Sequence, residues 1–321
     1  MRSVKKVASV FVTVGVALAV ALSASPQQPA QQQQPRIRTQ VNLVNLFATV
    51  RDKSKHVVTD LKQEDFKVLE DGQPQQIAFF SKEVALPITL AMLLDTSGSE
   101  QNMLPAIQEA GSRFLERVVR KGDEALIMSF DSNVDLLSDF TDDRGQLDRA
   151  IRKTRINAAS GGNINPGPVP TAGSVGTAFY DAIYLACNEK LSTEAGRKAI
   201  VIVTDAQDEG SKVRLEEAIE VAQRTDSVVH IILVYDPHYG ANSGVAHKIT
   251  EETGGRTIVA NSEKHLAEAF DQISEELRSQ YTLGYYPSNT THDGKFRKVK
   301  IEMANHDLKV LARKGYYAPK E

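Results

Sequence analysis

Asp95, Ser97 and Ser99 stand at alternate positions of the stretch DTSGS, one carboxylate and two hydroxyls, with Gly98 free to turn between them. Three oxygen ligands on one short loop, only one of them charged, suit a hard divalent cation. The competing reading is a helix start, where aspartate and serine oxygens accept from first-turn amides. Other chemistries find no such cluster. None of the seven histidines pairs at the spacing of a zinc site, and the one cysteine, Cys187, excludes both a cysteine zinc site and an intramolecular disulfide. Set among the apolar residues of FYDAIYLAC, Cys187 is expected to be a buried thiol. The glycine-rich stretch SGGNINPGPVPTAG lacks the lysine of a phosphate-binding loop, and neither a nucleophile elbow nor GxGxxG occurs.

A buried strand must hold the loop, since ITLAMLLD runs into Asp95 without a break. Three more compact apolar runs, EALIMSF, AIVIVTD and VVHIILVY, alternate with helical stretches at 104–120, 213–224 and 263–278. Buried strands alternating with helices predict a parallel, doubly wound α/β sheet, which binds ligands beyond the carboxyl ends of its strands. Asp95 lies at such an end. On either side the period shortens. DFKVLE, an Asp71-Gly72 turn and QIAFF precede the α/β part, while YTLGYYP, FRKVKIEM and LKVLARKGYY follow it, all reading as short antiparallel strands. The tyrosines of those last strands are expected on packed sheet faces.

A length of 321 residues allows about two domains, and 41% hydrophobic with 25% charged residues is an ordinary globular balance. The net charge of -3 leaves no nucleic-acid footprint. Residues 1–24 place Arg2, Lys5 and Lys6 ahead of an apolar run from Val7 to Leu22 and the small residues Ala21, Ser23 and Ala24, the pattern of an export signal. Its removal would leave a periplasmic or secreted protein, whereas an uncleaved run would anchor the chain in a membrane. Residues 25–38 follow as a glutamine- and proline-rich linker.

The pattern Asp95-x-Ser97-x-Ser99 after a buried first strand resembles the signature of the von Willebrand factor type A (VWA) domain, whose metal-ion-dependent adhesion site (MIDAS) holds Mg²⁺ or a similar ion. The resemblance implies two further ligands. Thr177, in GTAFYDAIYLAC, matches the family's loop threonine, and Asp205, in IVIVTDAQDEGS, matches the aspartate after the fourth strand. Ala206 departs from the glycine common after that aspartate, and alanine is tolerated there if the local backbone keeps φ negative. Residues 157–174 lengthen a loop beside the site, and Asp208 reads as a solvent-facing loop acid, with a role behind the metal ligands as the alternative. With its flanks, the chain resembles a bacterial, acidobacterial-type VWA-related secreted subgroup. This implies a doubly wound, Rossmann-like domain over residues 86–277, inserted between β-rich segments 39–85 and 278–321 that together form one Ig-like β-sandwich.

The function that follows is that of a binding module. Mg²⁺, or Mn²⁺ or Ca²⁺, would sit at Asp95, Ser97, Ser99, Thr177 and Asp205 and be completed by an aspartate or glutamate carboxylate of a protein partner. An Mg²⁺-dependent hydrolase is the enzymatic alternative, and it needs a general base and phosphate-gripping residues that no motif supplies. A structural envelope protein with a folding metal is the third reading. In adhesion domains of this kind, ligation can also be coupled to axial movement of the last helix, here 263–278, which runs directly into QYTLGYYP; a helix fixed by packing would pass on nothing.

Overall fold

A computed structural model describes residues 43–82, 87–156, 176–234 and 240–320. The export signal, the linker and the glycine-rich loop at 157–174 lie outside them.

The first flank supplies β1 (Val44–Arg51), β2 (Phe66–Glu70), β3 (Gln73–Gln75) and β4 (Ile77–Ser81). Asp71 and Gly72 join β2 to β3 with φ of 48° and 82°, the two positive angles a type I′ hairpin turn demands. The central part runs β5 (Ile88–Asp95), α1 (Leu104–Val118), β6 (Glu124–Phe130), β7 (Val134–Thr141), α2 (Arg144–Arg152), α3 (Phe179–Leu185), β8 (Arg197–Thr204), α4 (Leu215–Arg224), β9 (Ser227–Val234), α5 (Ser243–Thr253), β10 (Thr257–Ala260) and α6 (Glu263–Arg278). The second flank returns as β11 (Tyr281–Tyr285), β12 (Phe296–Met303), β13 (Lys309–Leu311) and β14 (Gly315–Tyr317).

The central strands form one sheet in the order β10-β9-β8-β5-β6-β7. Five are parallel, and β7 closes one edge antiparallel to β6. Helices cover both faces, which is why every residue of β5 is buried and the strand is apolar from Leu90 to Leu94 without alternation. One face packs on α1, α2 and α6 through Ile107, Phe114, Ile151 and Phe270; α3, α4 and α5 cover the other. Helix α1 lies so close to the sheet that a methyl group on Gly111 would stand 2.7 Å from Met92 Cε. Cys187, in the helical turn that continues α3, is buried as expected, and burial pushes its thiol up to about 12. Strands β5 to β7 run outward on one side and β8 to β10 on the other, so the winding reverses between β5 and β8. Ligands of such sheets bind at that reversal.

The flank strands interleave in two four-stranded antiparallel sheets, β13-β1-β11-β4 and β14-β12-β2-β3. Because β1 is bracketed by β11 and β13, and β12 by β2 and β14, neither flank completes a sheet alone. A single core lies between the sheets, built from Leu46, Val68, Tyr281, Leu283, Tyr285 and Val299. The rings of Phe66, Phe80 and Tyr281 stand 5.2 to 5.8 Å apart. The hydroxyls of Tyr285 and Tyr316 donate to the buried Glu70 carboxylate at 2.7 and 2.9 Å. Tyrosine thus serves packing, although Tyr286 is exposed.

Charge holds the end of α6. Glu276 is fully buried, with Arg256 Nη1 at 2.6 Å and Arg51 Nη1 of β1 at 3.4 Å. Arg197, at the start of β8, donates through Nη2 to the Leu277 carbonyl at 2.5 Å and to Gln280 Oε1 at 2.6 Å. Arg313, past β13, pairs with Asp226 just before β9. The sandwich therefore sits at the amino ends of the parallel strands, opposite Asp95. Among the described residues no helix is long and apolar enough to cross a membrane.

Candidate metal centre

Strand β5 ends on Asp95 and its neighbour β8 on Thr204, so the loops leaving them open together where the winding reverses. Asp95 is fully buried. Its Oδ1 accepts from the Ser97 amide at 2.9 Å, and its Oδ2 accepts from the Thr204 hydroxyl at 2.6 Å. The Ser97 and Ser99 hydroxyls are 3.0 Å apart, and Ser99 hydrogen-bonds onward to the Asp205 carboxylate. Four of the five expected ligands are thereby joined in one chain of hydrogen bonds. The fifth, Thr177, is half-buried in a loop laid against that of Asp205, its carbonyl accepting from the Glu209 and Gly210 amides at 3.1 and 3.2 Å. These residues do not cap a helix. The turn Gly98–Glu100 has no side-chain cap, and α1 begins only at Leu104.

Residues not singled out in the sequence brace these loops. Asp131, after β6, accepts from Thr96 Oγ1 at 3.4 Å and from the Asn133 amide at 3.0 Å, while its carbonyl accepts from the Ala178 amide at 2.6 Å. It ties the Asp95 loop to the Thr177 loop. Asp208 does not face solvent as expected. Helix α3 has Ala178 at its cap position, which offers no oxygen, so Asp208 accepts from the Tyr180 amide at 3.1 Å and Ser211 from the Asp181 amide at 3.0 Å. Asp181 returns the arrangement, accepting from the Lys212 and Val213 amides at 2.9 and 3.0 Å. The loops bearing Thr177 and Asp205 are in this way stapled to each other.

The condition set for Ala206 is not met. Its φ is 59°, in the left-handed region, because the chain folds back after Asp205 and the Ala206 amide donates to Thr204 Oγ1 at 3.0 Å. A residue with a Cβ costs about 1–2 kcal/mol there relative to glycine.

Burial raises the Asp95 carboxyl to about 7, and the nearby Asp205 pushes the same way against hydrogen bonds from Ser97 and Thr204. Asp205 is raised as well, chiefly by burial. No lysine or arginine is among the largest influences on either carboxyl. Two buried carboxylates bridged by neutral hydroxyls are short of one positive partner, and a divalent cation fits that deficit. Among the described residues no three histidine, cysteine, aspartate or glutamate side chains converge on a point. A cation here would have two carboxylates, hydroxyls and water, the sparse oxygen set of a Mg²⁺-type site.

Residues 90–210 match the family model described as the von Willebrand factor type A domain. The chain carries a VWA domain. The matched span includes Asp95, Ser97, Ser99, Thr177 and Asp205, together with the bracing Asp131 and Asp208. No curated protein matches the chain. Among solved structures, a VWA protein from Catenulispora acidiphila is 12% identical and covers 79% of this chain and 73% of its own, with a TM-score of 0.50. Proximal thread matrix protein 1 from the mussel byssus, in a structure with a zinc-occupied MIDAS motif, is 16% identical over 65% of this chain and 49% of its own, with a TM-score of 0.50. BatB from Bacteroides thetaiotaomicron is 18% identical over 60% of this chain and 100% of its own, with a TM-score of 0.45. At these identities the VWA likeness to solved structures is one of fold.

Proposed function

We propose that this VWA domain is a metal-dependent protein-binding module in which Asp95, Ser97, Ser99, Thr177 and Asp205 hold Mg²⁺, with Mn²⁺ or Ca²⁺ as substitutes. The observation that carries the reading is the buried, uncompensated pair of Asp95 and Asp205, bridged by the two serine hydroxyls at the winding reversal. The zinc-occupied MIDAS of the mussel protein supports a divalent ion at a site of this type. When bound, the ion offers an electrophilic position to an anionic oxygen. The chain's own residues do the rest. Asp95 is oriented by Ser97 and Thr204, Asp205 by Ser99 and the Gln207 amide, and the staple holds the Thr177 and Asp205 loops beside each other. With so few charged ligands, the last position favours an aspartate or glutamate from a protein partner. The reading is one of binding without turnover, since the sequence offers no general base or phosphate-gripping motif. Arg2, Lys5 and Lys6 ahead of Val7 to Leu22 support export to the periplasm or the medium.

The test is calorimetric. Asp95→Ala and Asp205→Ala are expected to abolish Mg²⁺ binding and leave far-UV circular dichroism largely intact, because both lie in strand-end loops. A pull-down from envelope extract should recover a partner with Mg²⁺ and lose it with chelator. Undiminished Mg²⁺ affinity in both variants would overturn the proposal.

A further inference from the structure

At the far end of the sheet from Asp95, a cavity of about 420 Å³ opens at the amino ends of β8 and β9. Phe47 of β1 and Arg313 line it from the sandwich, and Ala195, Lys198, Ala222 and Val228 line it from the α/β part. Its volume is that of a small-molecule site. The walls are fixed. Arg313 pairs with Asp226, donates through Nη2 to the Asn45 carbonyl at 2.8 Å, and lies over the Tyr316 ring at 5.6 Å. Gly254, with φ 86°, ends α5 against this segment, where a methyl group would collide with the backbone of Ala312 and Arg313. The seam therefore holds its shape without a ligand.

The charges in it are unevenly used. Arg313 is engaged by Asp226, whereas no hydrogen bond or ion pair from a described residue reaches the half-buried Lys198 ammonium. Burial lowers its pKa, and Cys187, then Glu194, oppose that without a hydrogen bond or ion pair to it. An ammonium drawn out of water without a partner gains most from a bound anion. Asp226 is neutralised by Arg313, but Glu194 also lines the cavity, so a dianion would meet one free ammonium and one like charge, and a monoanion is the better match. Phe47, Ala195, Ala222 and Val228 offer the rest of the ligand an apolar wall.

We infer that this seam is a second ligand site, taking a small organic monocarboxylate whose carboxylate pairs with Lys198 and whose apolar body fills the space between sandwich and sheet. The inference is independent of the metal reading. The experiment must keep the two apart, since a carboxylate could also ligate a metal at Asp95.

Calorimetry on the whole chain in EDTA, at fixed ionic strength, would titrate acetate, butyrate, benzoate and inorganic phosphate in turn. Butyrate or benzoate is expected to saturate one site and to bind at least about tenfold tighter than phosphate. Lys198→Met should weaken that binding at least about tenfold, while Lys198→Arg keeps it within a few fold. Ala195→Trp, a change at an exposed loop residue on the cavity wall, should block it and serves as the second variant if Lys198→Met fails to fold. Absence of saturation by any carboxylate up to about 10 mM, or unchanged affinity in the variants, would overturn the site. Phosphate binding tighter than the carboxylates would overturn the monoanion class.

Discussion

With its carboxyl raised to about 7, Asp95 keeps its proton in the metal-free fold over a range where an unfolded aspartate, near 3.8, is already charged. Unfolding then releases a proton, so the metal-free protein loses stability as pH rises from about 4 to about 7, and the loss is complete above that window. The melting temperature in EDTA is expected to fall across it, and Mg²⁺ to raise the melting temperature more at about pH 8 than at about pH 5.5. Asp95→Asn should flatten the first trend and remove the second. Melting curves of both proteins, with EDTA and with Mg²⁺, check this; identical pH profiles would count against it. Ala206 offers a second residue-scale test. Glycine there relieves the left-handed strain but gives up a buried methyl, so Ala206→Gly should stay within about 1 kcal/mol of the parent by denaturant unfolding. Ala206→Val, a branched side chain at φ 59° in a fully buried position, should cost about 3 kcal/mol or more. Spacing alone made Asp95, Ser97 and Ser99 legible in the sequence, and the family pattern added Thr177 and Asp205. The roles of Thr204, Asp131 and Asp208 were not legible, because each depends on which amide or hydroxyl from a distant loop arrives beside it.

Among the elements, buried strands and amphipathic helices were the easiest to read. ITLAMLLD is buried from end to end and apolar apart from Thr89 and the terminal Asp95, and α6 matches its expected bounds. β7 was missed because an edge strand with half of one face in water shows no unbroken run, and β10 because four residues give too little pattern. The end of α6 is the element where the structure bears on movement. Its last turn is held by Arg51, Arg197 and Arg256 from three other segments, and its own Arg278 reaches out to Asp123, so an axial shift would strip several buried charges of partners at once. Pinning α6 to β10 with an engineered disulfide is therefore expected to leave Mg²⁺ and partner affinity unchanged in oxidised and reduced protein alike. A clear redox dependence would show that the helix moves. Glu276→Ala should cost about 3–5 kcal/mol by leaving Arg51 and Arg256 buried without their carboxylate. In the loops, Asp208→Ala should weaken Mg²⁺ binding severalfold while costing only about 1 kcal/mol of stability, the worth of a lost helix cap. Asp208→Asn, which keeps an acceptor for the Tyr180 amide, should recover most of the affinity in calorimetry.

For the whole molecule, the two flanks make a single sandwich because β11 and β12 are the central partners of first-flank strands. A chain stopped at residue 278 would lose β11 to β14 together, exposing Leu46, Val50 and Val68. Residues 43–82 should become sensitive to protease. Survival of a protected first flank would show that it folds without the second.

The placement of the sandwich at one end of the parallel strands and of Asp95 at the other also has a mechanical meaning. A partner held at the metal loops and a body held by the sandwich would pull along the axes of β5 and β8, whose eight residues each span about 26 Å. Tension along that line shears every hydrogen bond between the two strands at once instead of peeling them singly, the geometry in which a sheet resists longest. Pulling single molecules between handles in the Ser99 loop and the sandwich should require more force than pulling the edge strand β7 away from β6. Equal forces in the two directions would deny the sheet any role as a strut.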